Sequence, residues 1–170
     1  MNAKPRDPAP ALDVDIVGGE RFSLRAARPR NFTMIVVYRS LHCPLCKRCL
    51  GELEGKLSEF DSRGVEVIAV SVDTAERAAR AKEEWGLARL RVGYGLSIPA
   101  ARAWNLYISR AQKDTEPPEF AEPGLFLVLP DGTLYTASVS SMPWARPPLD
   151  QMLGAIDSFI ANLRPARGEA

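Results

Sequence analysis

Histidine and cysteine are scarce in this chain of 170 residues, which holds one of the former and three of the latter. So few thiols exclude a small scaffold stapled by disulfides. Neither sign of charge is in excess, with 22 Lys and Arg against 21 Asp and Glu. That balance removes the bulk attraction to nucleic acid or to an anionic membrane surface. No apolar run approaches the ~20 residues that a membrane span needs, and the opening MNAKPRDPAPALDVDIV lacks the apolar stretch of a secretory signal. These absences lead to the expectation of a cytoplasmic protein that binds neither nucleic acid nor membrane. With 46% hydrophobic and 25% charged residues, what remains is the composition of a soluble globular domain, and the length suffices for one core.

The pattern along the chain divides it into a loose, proline-containing lead-in over 1–10, one domain over 11–163 and a frayed tail over 164–170. LDVDIVGGERFSL alternates apolar and polar residues around Gly18 and Gly19, which predicts an N-terminal β-hairpin near a sheet edge. FTMIVVYR is a continuous β-branched run, expected as a central strand buried on both faces. From Pro44 the period changes to three and four, through Cys46, Cys49, Leu50, Leu53, Leu57 and Phe60, predicting a helix that ends at Gly64. GVEVIAVSV predicts a second buried strand and AERAARAKEEWGL a second helix, capped by Asp73 or Thr74. A short strand around 90–92 and a helix from Pro99 to Leu106 follow. Residues 109–123 are polar and proline-rich and are expected as a loop, GLFLVLPDGTLYTASVS as a hairpin around Asp131 and Gly132, and 149–163 as a closing helix. The order implies an α/β fold, a mixed sheet with helices packed against it.

His42, Cys43, Cys46 and Cys49 fall within eight consecutive residues. Cys43-Pro44-Leu45-Cys46 lies where the central strand hands over to a helix. There, unpaired N–H groups and the positive end of the helix dipole favour a thiolate. Cys43 is accordingly the expected nucleophile and Cys46, three residues on, the expected resolving thiol. Cys49 continues the spacing on an apolar stripe and is expected to be a buried small hydrophobe. His42 is expected to point away to the surface. Arg39, at the end of the central strand, is expected either to place a permanent cation near the thiolate or to be an ordinary strand-end arginine, and Ser40, three residues before Cys43, either to donate a hydrogen bond to it or to satisfy loop backbone. A C-x2-C-x2-C metal site lacks a further Cys or His elsewhere in the chain to complete four ligands, so no metal and no cofactor is expected.

VVYRSLHCPLCKRCLGEL, VEVIAVSVD and EPGLFLVLPDGTL together resemble the thioredoxin superfamily, and more narrowly its peroxiredoxin-like branch, related to alkyl hydroperoxide reductases and thiol-specific antioxidant proteins. The resemblance implies a thioredoxin-like fold with a redox dithiol, and Cys43 matches the position of the peroxidatic cysteine. Ser40 takes the Thr or Ser position of the family's P-x-x-x-[TS]-x-x-C motif, while Val36 stands where its proline would be. Pro123 falls where peroxiredoxins carry an arginine and instead resembles the cis-proline of thioredoxins, which presents backbone to a substrate. The segment from Ser141 to Pro148 also resembles these proteins and brings Arg146 as a second cation. The expected activity is reduction of hydroperoxides, with a thioredoxin or glutaredoxin type donor and with a homodimer allowed. The alternatives are a thioredoxin-like protein disulfide reductase and a non-catalytic binding module of the same fold.

Overall fold

The computed structural model describes residues 3–170. A hairpin of β1 (Asp13–Ile16) and β2 (Arg21–Ser23) is followed by β3 (Phe32–Val37), α1 (Pro44–Ser62), β4 (Val65–Val70), α2 (Ala75–Glu84), β5 (Arg91–Tyr94) and α3 (Ile98–Ala103). A second small hairpin, β6 (Ile108–Arg110) with β7 (Glu119–Ala121), leads into β8 (Gly124–Val128), β9 (Leu134–Val139) and α4 (Leu149–Asn162). Seven strands form one mixed sheet in the order β2-β1-β5-β4-β3-β8-β9. The β3–β4 and β4–β5 pairs are parallel, as strand–helix–strand crossovers require, and the hairpin-connected neighbours are antiparallel.

The apolar pattern explains which face each element covers. Side chains alternate along a strand, and all six residues of β3 are buried, so both faces of this strand need cover. Met34 and Val36 join a core with Cys46, Leu50 and Leu53 of α1, Ala78 of α2 and Leu153 of α4. Ile35 and Val37 face the opposite core, with Ala101 of α3, Trp104 and Phe126. Each fully buried large side chain contributes roughly 1.5–3 kcal/mol relative to exposure. The expected helix boundaries hold at α1, where Gly64 closes the helix at φ +69°, a conformation that glycine adopts without steric cost. Thr74 caps α2 through its side chain, leaving Asp73 for another task.

Two expectations are corrected here. Residues 109–123 are not a plain loop: Ile108 to Arg110 pair antiparallel with Glu119 to Ala121. The helix expected from Pro99 to Leu106 stops at Ala103, where Trp104 turns into the core and Asn105 takes φ +59°. The flanking segments make contacts of their own. Pro8 bridges to Thr133, Arg6 donates to the Ala166 carbonyl and pairs with Glu169, and Ala166 is buried. No helix among the described residues is long and apolar enough to cross a membrane.

Candidate active site

The segment from Arg39 to Cys43 connects β3 to α1, and a buried carboxylate fixes its path. Asp73, 1% exposed, sits just beyond β4. Its Oδ1 accepts from the Ser40 hydroxyl at 2.7 Å and its Oδ2 from the Leu41 N–H at 2.9 Å. Arg77, one turn into α2, donates from Nε to Asp73 Oδ1 at 2.9 Å. From Nη2 it donates to Ser40 Oγ at 2.8 Å and to the Thr115 carbonyl at 3.0 Å. Ser40 therefore serves the loop and does not donate to the thiol, although its carbonyl accepts from the Cys43 N–H at 3.1 Å. Asp73 and Arg77 were not singled out from sequence, where Asp73 reads as an ordinary helix cap.

So held, Cys43 becomes the N-cap of α1, with extended backbone (φ −94°, ψ 107°) and its Sγ accepting from the Cys46 N–H at 3.2 Å. Its thiol is lowered to about 6: the Cys46 thiol donates to it, burial works against the shift, and the Cys46 N–H and the charges of Arg146 and Arg39 assist. Cys46 is pushed the other way, by burial first and then by the proton it shares with Cys43. Two donors converge on Cys46 Sγ, Arg146 Nη2 at 3.0 Å and the Arg39 N–H at 3.4 Å. The arginine is itself anchored by Nε on the Pro143 carbonyl at 2.7 Å. Cys49 departs from its expected role as a core residue. It is half-buried and lines two surface grooves, in both cases beside Arg146.

The unexpected β6–β7 hairpin builds the opposite wall. It carries Phe120 and, just past β7, Glu122. Arg39 lies over the Phe120 ring at 4.8 Å and forms an ion pair with Glu122 at 3.2 Å. Glu122 in turn accepts from the Ser109 hydroxyl at 2.6 Å. His42 does not reach the surface as expected. Its side chain is 7% exposed, packs edge-on against Phe120 with centroids 5.0 Å apart and approaches Glu116 at 3.7 Å. Burial, then the neighbouring Arg39 charge, lowers its pKa and keeps the ring neutral at pH 7.

Pro123 is trans, since the described residues contain no cis peptide bond. Its carbonyl accepts from the Ser140 N–H at 3.0 Å, so the sheet uses the backbone that a thioredoxin-type cis-proline would present to substrate. Pro123 instead lines a narrow apolar groove with Cys49, Leu53, Leu125, Ala145 and Arg146. No group of three or more His, Cys, Asp or Glu side chains converges to hold a metal among the described residues. The five expected site residues thus separate: Cys43 accepts from the Cys46 N–H, Arg39 reaches the pair through its backbone and its charge, Ser40 braces the loop, and Pro123 stands aside.

The sequence model of the AhpC/TSA family matches residues 5–137. Among solved structures, the chain is similar to the reduced 2-Cys peroxiredoxin of Plasmodium vivax, at 16% identity and a TM-score of 0.78, over 94% of this chain and 83% of that one. It is similar to the peroxidoxin BcpB of Mycobacterium tuberculosis at 14% identity and a TM-score of 0.74, covering 92% and 98%. Peroxiredoxin Q of Xanthomonas campestris follows at 22% and 0.69, covering 86% and 90%. No curated protein gives a significant match to the sequence. With a thioredoxin-like fold, a dithiol at the head of α1 and a family match over most of its length, the chain belongs to the AhpC/TSA family and is an oxidoreductase of the thiol peroxidase type.

Proposed function

We propose that the protein reduces hydroperoxides with Cys43 as nucleophile and Cys46 as resolving thiol. The observation that carries this is the N-cap position of Cys43, where one N–H, one neighbouring thiol and two guanidinium charges favour the thiolate. The thiolate attacks one peroxide oxygen and the O–O bond breaks. The leaving hydroxide or alkoxide takes a proton from solvent, and Cys43 becomes a sulfenic acid. Cys46 then attacks that sulfur, expelling water and forming a disulfide. A dithiol donor of thioredoxin or glutaredoxin type returns both thiols. The disulfide reductase alternative loses its main support with the trans geometry of Pro123.

One equivalent of hydrogen peroxide is expected to consume two of the three thiols. Cys46→Ser is expected to stop at a Cys43 sulfenic acid that dimedone traps. Three free thiols after peroxide treatment overturn the proposal, and insulin disulfide reduction that outpaces peroxide turnover moves the assignment to the alternative.

Reactivity is expected to follow the Cys43 thiolate. Alkylation by iodoacetamide should be half-maximal near pH 6 and fall about tenfold for each pH unit below it. A depressed thiol is ionised above its folded pKa, so the rate is already level at neutral pH. A midpoint near 9, the ordinary thiol value, would contradict the geometry.

A further inference from the structure

We propose that Cys49 is a third redox cysteine, which exchanges with Cys46 and carries the oxidised state from the buried pair to the surface. The inference rests on the dithiol chemistry proposed above and adds the route by which a protein donor reaches it. Cys43 and Cys46 are 1% and 0% exposed, so neither sulfur offers a protein dithiol a path of attack. Cys49 is half-buried and lines two surface grooves, one with Leu53 and Pro123, the other with Leu45 and Trp144.

Cys46 and Cys49 are three residues apart on α1, which places their Cβ atoms about 5–6 Å apart on one side of the helix. A disulfide needs roughly 3.5–4.5 Å, so closing this one distorts the first turns and makes the bond easier to reduce than a relaxed one. Arg146 supplies the charge for the exchange. Its guanidinium donates to Cys46 Sγ at 3.0 Å and also lies against Cys49. Its Nη1 is buried with no partner among the described residues.

In the exchange, the Cys49 thiol gives its proton to solvent and its sulfur bonds to Cys46 Sγ. The Cys43–Cys46 bond breaks and Cys43 leaves as a thiolate, with no net change in oxidation level. A low thiol pKa makes Cys43 the better leaving group. A donor thiolate then attacks Cys49 Sγ and expels Cys46. The donor's second thiol resolves the mixed disulfide, leaving the donor oxidised and Cys49 free.

The test uses the full chain oxidised by one equivalent of diamide, which links dithiols without peroxide, so it stands even if the protein fails to consume peroxide. Lys47 and Arg48 lie between Cys46 and Cys49, whereas no Lys or Arg separates Cys43 from Cys46. After acid quench, alkylation and trypsin, a Cys46–Cys49 link therefore appears as two joined peptides with Cys43 alkylated. That species is expected in the wild type, and Cys43→Ser is expected to form it as its only disulfide. Reduction of the oxidised protein by a stoichiometric reduced thioredoxin is expected to slow about tenfold or more in Cys49→Ser. Reduction of Cys49→Ser at the wild-type rate overturns the proposal, as does a Cys43→Ser protein that keeps two free thiols after diamide.

Discussion

Cys43→Ser is expected to abolish peroxide turnover, with kcat/KM falling by about 10³-fold or more while the fold stays intact. The separation of the two effects comes from the position. Cys43 is an N-cap whose side chain accepts from the Cys46 N–H, and serine is among the best residues for that task. The helix keeps its cap, and the hydroxyl, ionising far above a thiol, cannot replace the nucleophile. Thermal unfolding should therefore stay close to the wild-type midpoint while peroxide consumption with a dithiol is lost. A Cys43→Ser protein within tenfold of wild-type activity would transfer the attack to Cys46. That thiol is buried and raised, and it is the less suited of the two.

Asp73→Ala is expected to cost about 3 kcal/mol of stability, the lower end for breaking a buried ion pair because Arg77 keeps 27% exposure. The carboxylate accepts from the Ser40 hydroxyl, the Leu41 N–H and Arg77 Nε, and all three donors lose their acceptor together. Urea denaturation measures the loss. The same change frees the loop that sets Cys43 at the helix N-terminus, so the alkylation midpoint should rise from about 6 toward the ordinary thiol value. Asp73→Asn, which keeps an acceptor at this position, should fall between the two. Wild-type stability with an unshifted midpoint in Asp73→Ala would show that the loop is held by other means.

The cysteine pair was legible because helix-end chemistry is local: a strand run, a proline and a three-residue spacing suffice to place Cys43 and Cys46. The sheet was legible for a similar reason, since continuous β-branched runs and glycine turns mark β3, β4 and the two larger hairpins. What escaped depends on contacts between distant segments. Phe120, on a strand of three residues, and Glu122, just past it, reach Arg39 from a polar, proline-containing stretch with no hydrophobic period to mark them. Asp73 and Arg77 look like the start of any helix until Ser40 arrives from 33 residues away. Cys49 was misplaced because its stripe matches that of a core residue. The segment around Arg146, 100 residues from Cys46, lines two grooves together with Cys49.

The Arg77 contact with the Thr115 carbonyl sets a limit for redesign of the outer loop between β6 and β7. Lys113 and Asp114 are exposed at its tip and open to exchange. Thr115 and Glu116 are tethered, one by its carbonyl to the arginine that braces the cysteine loop, the other by its carboxylate to the backbone of Gln112 and Lys113. Grafting a new sequence into this hairpin should therefore keep its spacing at those two positions, since a slip of one residue there pulls on the guanidinium that holds Asp73.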